Sequence, residues 1–392
     1  MVKTIPAGWQ EKTLGEVCDI EIGKTPSRSN MKYWDKQKST TNIWLSIADL
    51  NNDTNKNVCD SNEYLSDIGA NVVKLVKKGT LLLSFKLTLG RVAFAGKDLR
   101  TNEAIAQLPI KNDINKFYLY YYLKFFDYEL LLKGDVKVKG KTLNKAKLKL
   151  LPVYYPSLPE QERIVAKLDK AFEAIGKAKS IAENNLKNAK ELFESSLNKA
   201  FTENTNDWEE KKLGEVCIII AGQSPNSQFY NTEAKGLPFY QGKKEFTNKY
   251  IGAPSVWTTE ITKEALSGDI LMSVRAPVGP INYATEKCCI GRGLASIRNS
   301  KLLSKDFLFY YLLSIQQKIG GHDGAVFNSI SRSEISAVKI RFPSIPDQQN
   351  IVARLDKLQE QTKQLEAVYS QKIKNLDELK QSILKRAFRG EL

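Results

Sequence analysis

The chain has 392 residues, is 42% hydrophobic with 16 Phe and 16 Tyr, and carries a formal net charge of +15. That composition excludes a disordered chain and leaves room for two or three domains with cores of their own. It also makes a polyanion, nucleic acid first, the partner to expect; the competing reading is a lysine-rich protein of an AT-rich genome. There is no apolar run of 18 residues for a membrane span and no signal-peptide core in MVKTIPAGW. Five cysteines without a CxxC pair and one histidine, His322, argue against a structural zinc site and for a reduced, cytoplasmic setting.

The first stretch, Trp9–Pro26 (WQEKTLGEVCDIEIGKTP), returns as Trp208–Pro225 (WEEKKLGEVCIIIAGQSP), with 11 of 18 positions identical. Val17–Ile22 and Val216–Ile220 read as strands, ended by Gly23 and Gly222. The repeated Cys18 and Cys217 read as core residues, and the adjacent Cys288 and Cys289 as opposite faces of one strand. Gly79–Phe85 and Gly268–Val274 read as a turn and a buried strand, with Ile105–Leu108 and Leu294–Ile297 as another matched pair. Phe117–Phe126 and Phe307–Leu313 read as amphipathic helices. Their aromatic density suits a core better than a base-stacking platform.

From Pro156 to Phe201 the pattern changes to one long helix. Ser157 and Glu160 can form a capping box, and Pro159 sits where its missing N–H breaks no helical bond. Pro343–Phe388 repeats it, with 10 of the first 15 positions identical. Apolar residues recur at steps of four and three, as in a coiled-coil seam. The first seam is predicted at Ile164, Leu168, Ile175 and Leu192, with alanines between. The second is predicted at Ile351, Leu355, Leu358, Leu365, Leu376, Leu379 and Ile383. Asn185 and Lys372 are expected as polar members of the two seams. Small residues facing large ones imply that the helices pair, and the repeat order makes antiparallel pairing the simplest. The expected organisation is α+β: two mixed α/β domains, 1–155 and 206–342, separated by two long helices, 156–205 and 343–392, forming an antiparallel coiled coil.

The positive charge lies outside the first helix. Residues 1–155 hold 25 Lys/Arg against 16 Asp/Glu, residues 206–343 hold 17 against 13, and residues 156–205 balance at 8 against 8. Catalytic signatures are missing: no phosphate-binding GxxxxGK[ST] loop and no Asn/Asp-Pro-Pro-aromatic tetrapeptide of amino-methyltransferases. Gly291-Arg-Gly293 is a GxG fragment without the rest of a nucleotide fingerprint, and His322 lacks a nucleophile partner. Matching polar loops remain, and their side chains are those that bond base edges and phosphates. One pair offers Lys24, Ser27, Arg28, Ser29, Lys32 and Tyr33 in the first copy, and Gln223, Ser224, Ser227, Gln228 and Tyr230 in the second. A second pair offers Lys86 and Arg91, matched by Arg275. A third offers Lys137, Lys139 and Lys141, matched by Asn328, Ser329 and Arg332. Gln241, Lys243 and Lys244 add a group in the second copy. Lysines of 133–149 suit phosphates better than bases.

The residues Trp-x-x-x-x-Leu-Gly-Glu-Val at Trp9–Val17 and Trp208–Val216, GDILMSVRAPVG at Gly268–Gly279, FNSISRSEISAVKIRFPSIPDQQNIVARLD at Phe327–Asp356 and KRAFRGEL at Lys385–Leu392 resemble the specificity subunits of type I DNA restriction-modification enzymes. The likeness covers nearly the whole chain. In the first copy, Gly140-Lys-Thr-Leu and Phe85-Lys-Leu-Thr depart from the family's usual forms. The resemblance implies two target-recognition domains, each reading half of a bipartite site in double-stranded DNA, with the helices setting the gap. It also implies docking of two modification subunits carrying S-adenosylmethionine, and of up to two restriction subunits using ATP and Mg. This chain would then have no active site, cofactor or metal of its own. Two other classes stay open: a stand-alone DNA-binding coiled-coil protein, and a catalytic DNA-modifying enzyme.

Overall fold

Each globular part opens on the strand that follows the repeated tryptophan. Gln10–Thr13 pairs antiparallel with Pro152–Tyr155, and Glu209–Lys212 with Lys339–Phe342. The start of each part therefore lies beside the strand that leads into a long helix. The computed structural model describes residues 5–50, 56–111, 114–132, 141–203, 205–320 and 329–392. The repeated Leu-Gly-Glu-Val is one helical turn. Glu16 accepts from the Thr13 N–H and hydroxyl, both at 2.7 Å, and Glu215 from the Lys212 N–H at 3.0 Å. Leu14, Val17, Leu213 and Val216 are buried. A Cβ on Gly15 would stand 3.2 Å from that of Lys149, and one on Gly214 would stand 2.8 Å from that of Ser336. The motif recurs because its turn, its two apolar anchors and its close approach are all used twice.

The main sheet of the first part runs in the order Glu21–Ile22, Ile105–Leu108, Leu81–Ser84, Val92–Ala95, Asn57–Val58; that of the second runs Cys217–Ala221, Leu294–Asn299, Ile270–Ser273, Ile281–Tyr283. The predicted buried strands, Leu81–Ser84 and Ile270–Ser273, lie inside these sheets with every residue buried. In a second sheet, three-stranded in the first unit and five-stranded in the second, Ile43–Leu45 runs parallel to Arg100–Thr101, as Leu237–Tyr240 does to Cys288–Ile290. The aromatic helices, Lys116–Phe125 and Lys305–Ser314, are core elements: Tyr118, Tyr120, Tyr121, Tyr122, Phe307, Phe309 and Tyr310 are all buried. Cys18 and Cys217 are buried as well, and burial pushes each thiol up to about 12.

The long helices are Leu158–Thr202 and Ile345–Ala387. By internal packing the chain divides into residues 1–183 with 371–392, and residues 184–370. Each unit thus holds a stretch of both helices. In the first unit Lys179 Nζ lies 2.7 Å from Asp377 Oδ1, Lys380 stands over the Phe172 ring at 5.6 Å, and Arg163 donates to the Leu392 carbonyl. One number falls as the other rises, so the pairing is antiparallel. In the second unit Leu197 and Phe201 share a core cluster with Leu355, against which Phe193, Ile351 and Val352 pack.

Two polar side chains tie each globular part to its helix, and both recur. Gln161 is fully buried; it accepts from the Asn115 N–H at 2.8 Å and donates to the Pro156 carbonyl at 2.9 Å. Gln348 does the same with the Ser304 N–H and the Leu302 and Pro343 carbonyls, each at 2.9 Å. Eight residues further on, Asp169 Oδ1 accepts from both Tyr121 OH and Lys56 Nζ, and Asp356 Oδ1 from Tyr310 OH at 2.5 Å and Lys249 Nζ at 3.2 Å.

The seam needs correction in one of its two rows. Ile164, Leu168, Ile175 and Leu355 are buried, and Ile351, Leu358, Leu376 and Ile383 are partly buried. Leu192, Leu365 and Leu379 are instead exposed at 48%, 40% and 46%, and Lys372 is exposed too. The neighbours Phe193, Glu366, Ile373 and Lys380 take the partly buried places. A helix of 3.6 residues per turn drifts about 20° per heptad against a strict 3.5-residue repeat, so the inward row steps over by one residue. In the first helix the large Phe193 ring then fills the space, packing 6.4 Å from Tyr310.

Replacing Gln161 by Leu leaves the Asn115 N–H without its acceptor, and Gln348→Leu does the same to Ser304. Each substitution is expected to cost about 1–3 kcal/mol. Urea unfolding of the full chain measures this, and a loss of only a few tenths would show that water replaces the amide.

Candidate nucleic-acid interface

In the first unit the loop after Glu21–Ile22 turns at Gly23, where a Cβ would stand 2.2 Å from the Thr101 carbonyl oxygen. The turn is closed by the Lys24 N–H on the Thr101 carbonyl, 2.8 Å. Two indoles stiffen the loop beyond Gly23. Trp44 donates to the Lys24 carbonyl and Trp34 to the Ser27 carbonyl, both at 3.1 Å, and the rings meet edge-on with centroids 5.0 Å apart. Arg28 lies over both rings at 4.2 and 4.8 Å and is held by Glu63 through two hydrogen bonds, one of them 3.1 Å. That pairing raises the Arg28 pKa, so the guanidinium is a fixed cation with 54% of its side chain exposed. Lys24, Ser27, Ser29 and Lys32 are exposed around it, and the Ser27 and Ser29 hydroxyls bond at 2.9 Å. Tyr33 is an anchor instead: it is partly buried, and its carbonyl takes the Ser66 N–H at 3.0 Å.

The second and third predicted loops meet at a two-stranded ribbon, where Lys86–Leu87 pairs with Lys141–Thr142. Lys86 is partly exposed beside the Phe85 ring. Arg91 is partly buried and donates to the Ile47 carbonyl at 2.9 Å, so it braces the fold from inside. Lys137 and Lys139 lie outside the described residues.

In the second unit the same skeleton carries different tips. The Gln223 N–H bonds the Ile290 carbonyl at 2.9 Å, and the Ser224 hydroxyl accepts the Arg292 N–H at 3.3 Å. Ser227 and Gln228 are exposed on a short turn, and Tyr230 packs against Phe239 at 4.8 Å. Arg275 pairs through its backbone with Ser329, the counterpart of the Lys86–Lys141 ribbon. A cleft of about 230 Å³ then gathers Gln241, Lys243, Ser273, Arg275 and Arg292. Among the described residues no carboxylate lines it, and no ion pair holds Lys243, Arg275 or Arg292. Lys244 is exposed beside the cleft, and Arg332 is exposed at the start of the helix Arg332–Ala337. Asn328 and His322 lie outside the described residues.

Sequence reasoning passes over Arg292, which reads there only as the middle of a GxG fragment. The signal is in its flanks. A Cβ on Gly291 would come within 3.0 Å of Gln241, Phe239 and Ser224, and one on Gly293 within 2.4 Å of the Gln241 carbonyl. The two glycines allow the turn bearing Arg292 to lie directly against the turn bearing Gln241. Glu103, on the equivalent turn of the first unit, is missed as well. It takes the Thr25 hydroxyl. Partial burial opposes its ionisation, but Thr25, its own backbone N–H, Lys86 and Arg28 together hold it below the usual carboxylate range.

Among the described residues there is no cluster of side chains suited to a metal ion, and no helix long and apolar enough to cross a membrane. The two sites present exposed Arg, Lys, Gln and Ser on backbone-fixed turns, the chemistry of phosphate and base-edge recognition.

Comparison with known proteins agrees with that chemistry. The model for the type I restriction modification DNA specificity domain matches residues 6–184 and 205–375. A candidate type I restriction enzyme MjaX specificity subunit of Methanocaldococcus jannaschii is 39% identical over 63% of this chain, an alignment spanning 62% of that relative's own length. The MjaIX specificity subunit of the same organism is 26% identical over 79% of this chain and 76% of its own. Among solved structures, a chain from work on complex assembly and conformational transition of the type I system superposes with a TM-score of 0.85, at 29% identity and with 99% of this chain and 100% of that one covered. The HsdS subunit of Thermoanaerobacter tengcongensis gives a TM-score of 0.65 at 28% identity, with 99% and 98% covered. With two matched segments that together take in most of its length, this chain belongs to the type I restriction-modification specificity subunits, with two DNA-recognition domains.

Proposed function

We propose that residues 1–155 and 206–342 each read one half of a bipartite site in double-stranded DNA, and that the helices of 156–205 and 343–392 set the gap and dock modification subunits. The observation that carries this reading is the repetition of one loop skeleton in both units with different exposed side chains at its tips. A shared skeleton places each set of tips in the same way against a duplex, and different tips read different sequences. Arg28, the Lys86 ribbon and the lysines of 133–149 serve the first half-site. Gln228, Gln241, Lys243, Arg275 and Arg332 serve the second.

On this reading the chain is a non-catalytic cytoplasmic subunit. Two modification subunits supply S-adenosylmethionine and the methyl-transfer site. Up to two restriction subunits supply ATP- and Mg-dependent translocation and cleavage. The purified chain alone is expected neither to methylate nor to cleave DNA. Methyl transfer by the chain freed of partners, measured with labelled S-adenosylmethionine, would count decisively against it.

The half-sites should be separable. Arg28→Ala is expected to alter the methylated sequence in one half only, and Gln228→Ala in the other, in cells that also express the modification subunits. Mapping of methylated positions reads the outcome, and equal relaxation of both halves by either substitution would sink the reading.

The helices should act as a ruler. Four residues inserted near Ala178 lengthen a helix by about 6 Å and nearly keep the heptad phase. With DNA rising about 3.4 Å per base pair, the mapped site should keep both halves and gain nearly two base pairs between them. An active variant that still modifies the original spacing alone would show that the helices do not set the gap.

A further inference from the structure

The turn after Arg100–Thr101 in the first unit and the turn after Cys288–Ile290 in the second occupy the same place. Each follows the strand that runs parallel to its neighbour in the second sheet of its unit: Thr101 pairs with Leu45, and Ile290 with Tyr240. Two residues beyond these partners stand Glu103 and Arg292, so one skeleton holds a carboxylate in one unit and a guanidinium in the other.

Both side chains are positioned. Arg292 is exposed on a turn whose glycines press it against Gln241, its N–H is fixed on Ser224, and its cleft holds the Gln241 amide and the Arg275 guanidinium but no carboxylate. A guanidinium with no carboxylate partner among the described residues keeps its donors for an acceptor pair brought by a ligand. Glu103 is fixed by the Thr25 hydroxyl and lies in the field of Lys86 and Arg28. An ionised carboxylate on a DNA-facing loop is repelled by phosphates. Its favourable role there is to accept from a base amino group.

Taking these turns as DNA-facing, on which the assignment rests, we infer that Arg292 reads a guanine through its N7 and O6 acceptors in one half-site, and that Glu103 reads a cytosine through its 4-amino donor in the other. The two half-sites therefore differ in hydrogen-bond polarity at one equivalent position.

The test is methylation-site mapping in cells expressing the chain with its modification subunits. Arg292→Ala should relax one G·C position of a single half-site, and Glu103→Ala one C·G position of the other, each lowering discrimination by about ten-fold. A uniform weakening at all sequences would mark Arg292 as a phosphate contact and overturn its assignment, as would a second half-site without a G·C pair. Should a variant give no methylation, the wild-type complex is titrated with duplexes carrying 7-deazaguanine at each guanine, or a cytosine lacking its 4-amino group at each cytosine. One position in each half must then lose about ten-fold in affinity, and a flat profile overturns the assignment. Arg28→Ala and Gln228→Ala separate the two levels. If they also leave the mapped sequence unchanged, the reading of the domains fails. If they change it while the Arg292 and Glu103 variants do not, only this assignment fails.

Discussion

One carboxylate on each long helix joins it to its globular part. Asp169 Oδ1 takes the Tyr121 hydroxyl and the Lys56 ammonium, and Lys56 also lies 5.0 Å above the rings of Phe117 and Tyr121. Asp356 repeats the arrangement with Tyr310 and Lys249, the latter over Tyr310 at 5.3 Å. The ion pair alone is worth little, because Lys56 and Asp169 keep 31% and 43% of their side chains exposed. The strength lies in the combination: a charge-assisted bond from a phenol anchored in the core, with a cation held against aromatic faces. The buried Gln two turns earlier adds a second point of attachment, and two points fix an orientation that one cannot.

This explains why the helix entry is the best-matched part of the repeat. Pro-Ser-x-Pro-acid-Gln places the amide in the first turn, and Leu-Asp-Lys places the carboxylate two turns later. Between them Ile164 and Ile351, Val165 and Val352, and Leu168 and Leu355 pack on the core clusters of their units. The same physical demand, a helix held rigidly on a sheet-and-helix body, is met twice by the same residues.

The exposed turns follow the opposite rule. Their shared skeleton is a close-packed glycine, Gly23 or Gly222, and a backbone bond from the next N–H, to Thr101 or Ile290, so the tip residues are free to differ. In the first unit the tips include an arginine clasped by Glu63 against two indoles. In the second they form a cationic cleft with an amide at its edge. The frame is shared and the tips vary, which fits the proposal that the two domains read different half-sites.

Much of this was legible in the sequence because it depends on local pattern. The duplicated Trp-to-Leu-Gly-Glu-Val stretch, the buried strands, the aromatic core helices and the two long helices follow from spacing and composition alone, whereas Glu160, expected in a capping box with Ser157, instead takes the Arg163 guanidinium. Arg275 was found by its matched offset from Lys86 and Arg91, and Gln241 and Lys243 were named in the second copy alone; that the three line one cleft was decided by the fold. Tertiary structure decided the rest. Which of two adjacent helix residues faces inward depends on accumulated drift and on the partner surface, so Leu192, Leu365 and Leu379 turned outward while Phe193 turned in. Whether an arginine is free or spent depends on groups far away in the chain: Ile47 occupies Arg91 and Glu63 steadies Arg28, while Arg292 has no carboxylate partner among the described residues. Those contacts form between loops, turns and strands that only the fold brings together, and no spacing along the chain encodes them.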